Sequence, residues 1–264
     1  MKQNKYFSLG RLARLLRNDW LINQKTYLFT VIGMSIAVYA IAFMSMQNSV
    51  NYNINNYTPL LLFFLMGVGA FIGNAFPVLK DSIKTTNYLL APGSTFEKFM
   101  VQFLIRMVIF IPLSLIIFWI AMHLAKASLF SNPERSFVPM EDIPDFHFPD
   151  LFSQVKSFRD QFIIVTSIFS FATVLFAGSV YFNRFSLVKT LIISWLMIGI
   201  VALSFVFFSH IFYPAQTIGL HAQLPDYKIS GDMSNVKLAD YLLGGLSWIF
   251  FLPLAYFKLK EKEG

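Results

Sequence analysis

The chain of 264 residues has no cysteine, so no disulfide contributes to its fold and cysteine usage says nothing about its redox compartment. Charge is also scarce. Only 13% of residues are Asp, Glu, Lys or Arg, about half the share of an ordinary soluble domain, while 56% are hydrophobic. Six long stretches contain no charged residue at all: 27–46, 59–79, 107–124, 162–182, 190–209 and 241–257. Also missing is any G-x-x-x-x-G-K-[ST] phosphate loop, so the chain has no usual means of hydrolysing ATP.

The six uncharged stretches are apolar and each is close to the 17–25 residues that about 30 Å of hydrocarbon requires. The expected fold is an all-α integral membrane protein with six transmembrane helices, a single domain over 1–264. A cleaved secretory signal is not expected, because the first apolar run is longer than a 7–15-residue h-region and starts late. Lys and Arg distribute asymmetrically between the connecting segments. With the N-terminus inside, the inner segments hold Lys2, Lys5, Arg11, Arg14, Arg17, Lys25, Lys80, Lys84, Lys98, Arg106, Arg184, Lys189, Lys258, Lys260 and Lys262. The outer segments hold Lys126, Arg135, Lys156, Arg159, Lys228 and Lys237, mostly in long loops where charge orients least. Both termini are therefore predicted inside. This asymmetry accounts for the net charge of +7 without nucleic acid as a partner.

Before the first span, residues 8–22 have the pattern of an amphipathic interfacial helix. Leu9, Leu12, Ala13, Leu16 and Trp20 fall on one stripe, and Arg11, Arg14, Arg17 and Asn18 on the other, which suits the headgroup plane of membrane lipid. Ser8 is placed to cap its start. Such a helix is either a plain anchor or an elbow that bears on a partner.

The loop 80–99, predicted to face the cytoplasm, is the most informative connection. Asp81, Ile83, Lys84, Tyr88, Leu89 and Leu90 mix charge with apolar residues in the manner of a short surface helix, and Pro92-Gly93 signals a turn. Ser94 and Glu97 have the spacing of a capping box, which starts the third helix below the membrane and leaves Arg106 to snorkel at the headgroups.

With a leucine-containing stretch ahead of Pro92, Ser94, Glu97, Lys98 and Phe99 directly after the second span, the chain resembles the permease subunits of type-2 ATP-binding-cassette transporters, in the branch common in Bacteroidetes. That branch has Pro-Ala-Ser, two variable residues and Glu-Lys-Phe. Here Gly93 replaces the usual Ala, and Ala91 the usual Leu. The resemblance implies a membrane half that pairs with a second permease copy or paralogue and with cytosolic ATPases, to which ATP and Mg belong. It also implies that the loop holding Asp81 to Leu90 is a coupling helix docked on the ATPase, and that transport is outward across a bacterial cytoplasmic membrane. In a purely structural reading, the same loop only organises a tight connection.

The outer loops 125–161 and 210–240 are expected to be irregular, the first acidic and Pro-rich with a short helix at 151–159, the second with a part that dips as a hairpin. His123, His147, His210 and His221 all lie at the outer side, with Asp145 and Asp150 near His147, but their spacing matches no zinc signature and no metal ligand is assigned. Gly69 and Gly73 form a G-x-x-x-G suited to close helix packing, and Pro112 and Pro253 are expected to kink spans three and six.

Competing classes fare less well. An ion-coupled transporter ordinarily carries ionisable groups within its spans. An intramembrane enzyme needs a nucleophile with its base, and Ser114 and Ser194 have none in sequence. A non-transporting membrane scaffold or a sensor partner of an ATPase is the alternative that keeps the coupling loop.

Overall fold

A computed structural model of the chain describes residues 7–48, 52–80, 85–86, 88, 92–131, 143–152, 157–182, 185–212, 217–218, 221–222, 228–230, 233–234 and 245–263. The helices are α1 (Leu9–Asn48), α2 (Tyr57–Ile72), α3 (Thr95–Phe103), α4 (Phe110–Phe130), α5 (Phe158–Tyr181), α6 (Ser186–Phe212) and α7 (Trp248–Glu261). Five helical stretches among the described residues are long and apolar enough to cross a membrane: Leu9–Asn48, Ile54–Ile72, Thr95–Leu129, Phe158–Tyr181 and Ser186–Ser204. The protein therefore has the character of a multi-pass membrane protein. The sixth predicted span is covered only by α7, which at 14 residues is too short to cross, and 241–244 lie outside the described residues.

Residues 8–22 do not form a separate interfacial helix. They run without a break into the first span, making α1 40 residues long, or about 60 Å at 1.5 Å per residue. Between Trp20 and Tyr27 there is neither Gly nor Pro to interrupt the ladder, and side chains of the first segment meet α3 while those of the span meet Arg106 and Ser128 further along the same side of the molecule. The expected facial division fails as well. Leu12 is buried, but Trp20 is half exposed, and Arg11 turns inward whereas Arg14 and Arg17 face out.

The second span is shorter than 59–79, because α2 stops at Ile72. Gly73 takes the C-cap position, and Gly73-Asn74 followed by Pro77 favours a turn, which gives way to a 3₁₀ turn at Pro77–Lys80. Span three is one long helix in three pieces. A six-residue π-helical turn, Leu104–Ile109, joins α3 to α4, and the Phe110 N–H reaches back five residues to the Ile105 carbonyl. Pro112 explains its position. The ring lacks an N–H and crowds the carbonyl four residues earlier, and widening the preceding turn relieves that clash.

Helix α1 and the α3–α4 helix run parallel, in contact from one end to the other. Arg11 meets Glu97, Asp19 meets Gln102, Tyr27 meets Arg106 and Tyr39 meets Ser128, in ascending order along both. Helix α2 returns between them and α5, and α5 packs on α7 and α6. Small residues set the closest approaches. Gly69 faces Leu175 and Phe171 of α5, Gly73 faces Leu187 of α6, and a Cβ on Gly178 would stand 1.8 Å from Thr190 Oγ1. The core is aromatic, with Phe71 and Phe110 rings 3.9 Å apart and Phe176 in T-shaped contact with Phe76, Phe99 and Phe103. Beyond Thr190, by contrast, α6 leaves Ile192, Trp195, Leu196, Ile200 and Leu203 largely uncovered.

Of the loop 125–161, the first residues belong to α4. The middle of the helix expected at 151–159 lies outside the described residues; on either side of it stand a 3₁₀ turn at Phe148–Phe152 and the start of α5 at Phe158. Within 210–240 two short antiparallel strand pairs are described, Thr217–Ile218 with His221–Ala222 and Lys228–Ser230 with Met233–Ser234, so the described residues are helical with a small β addition.

Candidate functional site

Where α1, α3 and the end of α7 converge, a charged cluster is built into an otherwise apolar molecule. Its centre is Glu97, whose side chain is completely buried. Ser94 is the N-cap of α3, and the capping box expected from sequence is complete. Ser94 Oγ accepts from the Glu97 N–H at 3.2 Å, and Glu97 Oε2 accepts from the Ser94 N–H at 3.0 Å.

The same carboxylate also serves the neighbouring helix. Glu97 Oε1 accepts the backbone N–H of Ser8, the residue before α1, at 2.7 Å, and Arg11 forks onto both oxygens at 3.0 and 3.1 Å. One anion thus stands at the N-termini of two parallel helices, where their dipoles favour negative charge. Ser8 does mark the start of α1, but through its N–H and carbonyl, the latter accepting from Arg11 and Leu12.

Lys98 points the other way and is equally buried. Its Nζ lies 2.8 Å from Glu263 Oε1 and 5.8 Å from the centre of the Tyr88 ring, while Thr95 Oγ1 donates to the other Glu263 oxygen. Tyr88 Oη donates to the Lys98 carbonyl at 3.4 Å, and burial pushes this phenol far above its ordinary range. Next to Glu263, Lys262 Nζ donates to the Val180 carbonyl at the end of α5, at 2.6 Å, and burial, with Lys258 nearby, holds this ammonium below the usual lysine range. Cations therefore meet the C-terminal ends of helices just as Glu97 meets N-terminal ends. Arg106 does this for α2, donating to the Phe71 carbonyl at 3.0 Å with its guanidinium 3.8 Å from the Phe71 ring centre. It is buried in the π turn and does not snorkel. Ser186 Oγ donates to the Gly73 carbonyl at 2.8 Å, completing the end of α2.

The motif Pro92, Ser94, Glu97, Lys98, Phe99 is thereby resolved into roles. Pro92 is exposed at the turn, Ser94 and Glu97 form the cap, Lys98 holds the C-terminal segment, and Phe99 packs against Phe103, Phe176 and Tyr256. Of the six residues expected to meet an ATPase, Tyr88 is described and is tied to this cluster. Asp81, Ile83, Lys84, Leu89 and Leu90 lie outside the described residues. Sequence reading missed Glu263, Lys262 and Arg11 as partners. For the first two there was no local signal, since they are more than 80 residues from what they bind. The spacing of Arg11 from the stripe Leu12–Leu16 pointed it to the wrong face.

At the opposite end, Tyr57 Oη donates to the Pro144 carbonyl at 2.7 Å, and Phe146 inserts between Tyr57 and Phe118. Lys126 binds Asp145 at 2.7 Å, which lowers the Asp145 carboxyl below the usual range, and His147 lies 6.5 Å from His123 between ring centres. Among the described residues no group of three or more such side chains is placed to hold a metal ion.

The class defined by this geometry is a helical multi-pass membrane protein whose helix ends at one side cap one another. No protein-family model, curated protein or solved structure matches the chain.

Proposed function

We propose that the chain is the membrane-spanning permease subunit of an ATP-driven exporter in a bacterial cytoplasmic membrane, working with cytosolic ATPases and a second permease copy or paralogue. The observation that carries this reading is the shared cap at Glu97. It ties α1 to α3, and through Lys98 and Glu263 it ties both to the C-terminal segment, so a force applied near Tyr88 reaches three parts of the chain at once. In this reading the Glu97 end faces the cytoplasm. ATP-driven closure of the ATPases pushes on residues 81–90, and the Pro92 turn passes the displacement to α3 and α1 as one piece. The uncovered apolar face of α6 offers a surface for the second permease, and the exposed Arg14 and Arg17 lie where anionic headgroups are available. A membrane scaffold sharing the same ATPase contact is the alternative.

Site-specific crosslinkers at Tyr88 and Lys84, followed by gentle extraction and mass spectrometry, test the proposal. Capture of an ATPase in stoichiometric yield is the expected result. Recovery of intact protein crosslinked to no ATPase overturns it.

A further inference from the structure

Along α1 and α3 from the Glu97 cap lies a second buried polar group, one that the coupling argument does not use. Asp19 accepts from three neutral donors: Asn23 Nδ2 at 3.1 Å, Gln102 Nε2 at 2.8 Å and Tyr27 Oη. Arg106 lies beside it, stacked on Phe71 and 5.3 Å from the centre of the Tyr27 ring. Gln102 and Arg106 are 5% and 3% exposed, yet Gln102 Oε1 and Arg106 Nε have no hydrogen-bond partner among the described residues. Buried polar atoms in folded proteins almost always have one.

The two orphans are opposite in kind, and neither is removed by reassigning atoms. A guanidinium nitrogen only donates and an amide oxygen only accepts. Turning the Gln102 amide over would place its oxygen against the Asp19 carboxylate, an acceptor facing an acceptor, in place of the 2.8 Å bond. Both residues sit four apart on neighbouring turns, hence on the same side of the helix, and Arg106 lies within the π turn. An occupant here has to donate to one group and accept from the other. Asp19 and Arg106 carry opposite charges, so neither a cation nor an anion is selected.

We infer that Gln102 Oε1 and Arg106 Nε form a binding site for water, in which one molecule donates to the amide oxygen and accepts from the guanidinium N–H. Water inserted beside a helical ladder is a known accompaniment of a local change in helix winding. The consequence is mechanical. Arg106 can shift along the Phe71 ring while the water follows its Nε–H, so the π turn is a hydrated joint between α3, fixed at Glu97, and α4.

X-ray hydroxyl-radical footprinting of the whole protein in lipid nanodiscs tests this, because bound water generates radicals beside otherwise buried rings. Tyr27 is expected to be modified several-fold faster, after correction for intrinsic reactivity, than Phe76, a buried ring packed on Phe176. Gln102→Leu is expected to bring Tyr27 down to the Phe76 rate. Equal corrected rates for the two rings in the unaltered protein overturn the inference, whatever the variant does. A variant that fails to fold raises labelling at Phe118 and Phe176 and so declares itself, and Gln102→Met, nearer in volume, then takes its place. A Tyr27 rate above that of Phe76 that Gln102→Met leaves unchanged also overturns it.

Discussion

Glu97 Oε1 lies 2.7 Å from the backbone nitrogen of Ser8, 89 residues away, while Glu97 Oε2 holds the backbone nitrogen of Ser94, three residues away. A capping box ordinarily closes one helix. Here its carboxylate closes two, and Arg11 neutralises it, so the starts of α1 and α3 cannot separate without breaking the ion pair and freeing the Ser8 N–H.

Replacing Glu97 by Ala is therefore expected to destabilise the protein by about 3 kcal/mol, the scale for removing one partner of a buried pair. Glu97→Gln, which keeps one acceptor oxygen, should cost less. Thermal unfolding in detergent checks both. A cycle with Arg11→Ala should return a coupling of about 1–3 kcal/mol, and additivity of the two single changes would contradict a direct bond.

Lys98 and Glu263 test the same logic at the C-terminal segment. Glu263→Ala leaves a buried ammonium without its carboxylate, so it should lower the unfolding temperature more than the double change Glu263→Ala with Lys98→Met, in which an apolar chain fills the site. If the double variant is the less stable, Lys98 is not paired as described.

Gly178→Ala should cost upwards of about 2 kcal/mol, because the added methyl meets Thr190 Oγ1 at 1.8 Å and Cβ at 2.7 Å. Thr190→Gly should recover much of the loss. Gly67→Ala, which meets only the flexible end of Met34 at 3.7 Å, should fall within about 0.5 kcal/mol of the unaltered protein. Folded yields measured by size-exclusion chromatography after heating rank the three.

Asp145 is held below its ordinary pKa, first by its hydrogen bond from Lys126. A depressed carboxyl contributes stability above its unfolded value, about 3.9, and loses it as pH falls through the folded value below that. Because the pair is exposed, the effect is small: an acid-active protease should cleave the segment 143–152 modestly faster below about pH 4 than above it. Asp145→Asn should remove that difference.

Under the proposed function, Tyr88→Glu should abolish coupled transport while the protein still inserts, since a carboxylate cannot replace the phenol against Lys98 and its carbonyl. Transport at the unaltered rate with normal ATPase assembly would remove Tyr88 from the coupling role. Because the chain has no cysteine, single cysteines at Gly93 and Pro144 report orientation without background, and labelling of Gly93 from the cytoplasmic side is expected.

How much could be read in advance depended on the range of the interaction involved. The spans and the capping box come from neighbours in sequence, the length of an apolar run and a three-residue spacing between Ser94 and Glu97, and these are local properties of the chain. The apolar character of 27–46, 107–124, 162–182 and 190–209 and the start of α3 at Thr95 followed from them. The end of span two was misplaced because apolarity continues through Phe76 to Leu79 although Gly73 and Pro77 stop the helix.

Tertiary structure alone decided that Arg11 turns inward and that Arg106 is buried against Phe71. Each depends on a partner far along the chain, Glu97 for Arg11 and the carbonyl end of α2 for Arg106. Amphipathic spacing reports which residues share a side of a helix. It does not report whether that side meets lipid, water or a carboxylate, because an arginine is stable at any of the three once its charge is compensated, and only the folded neighbours determine which.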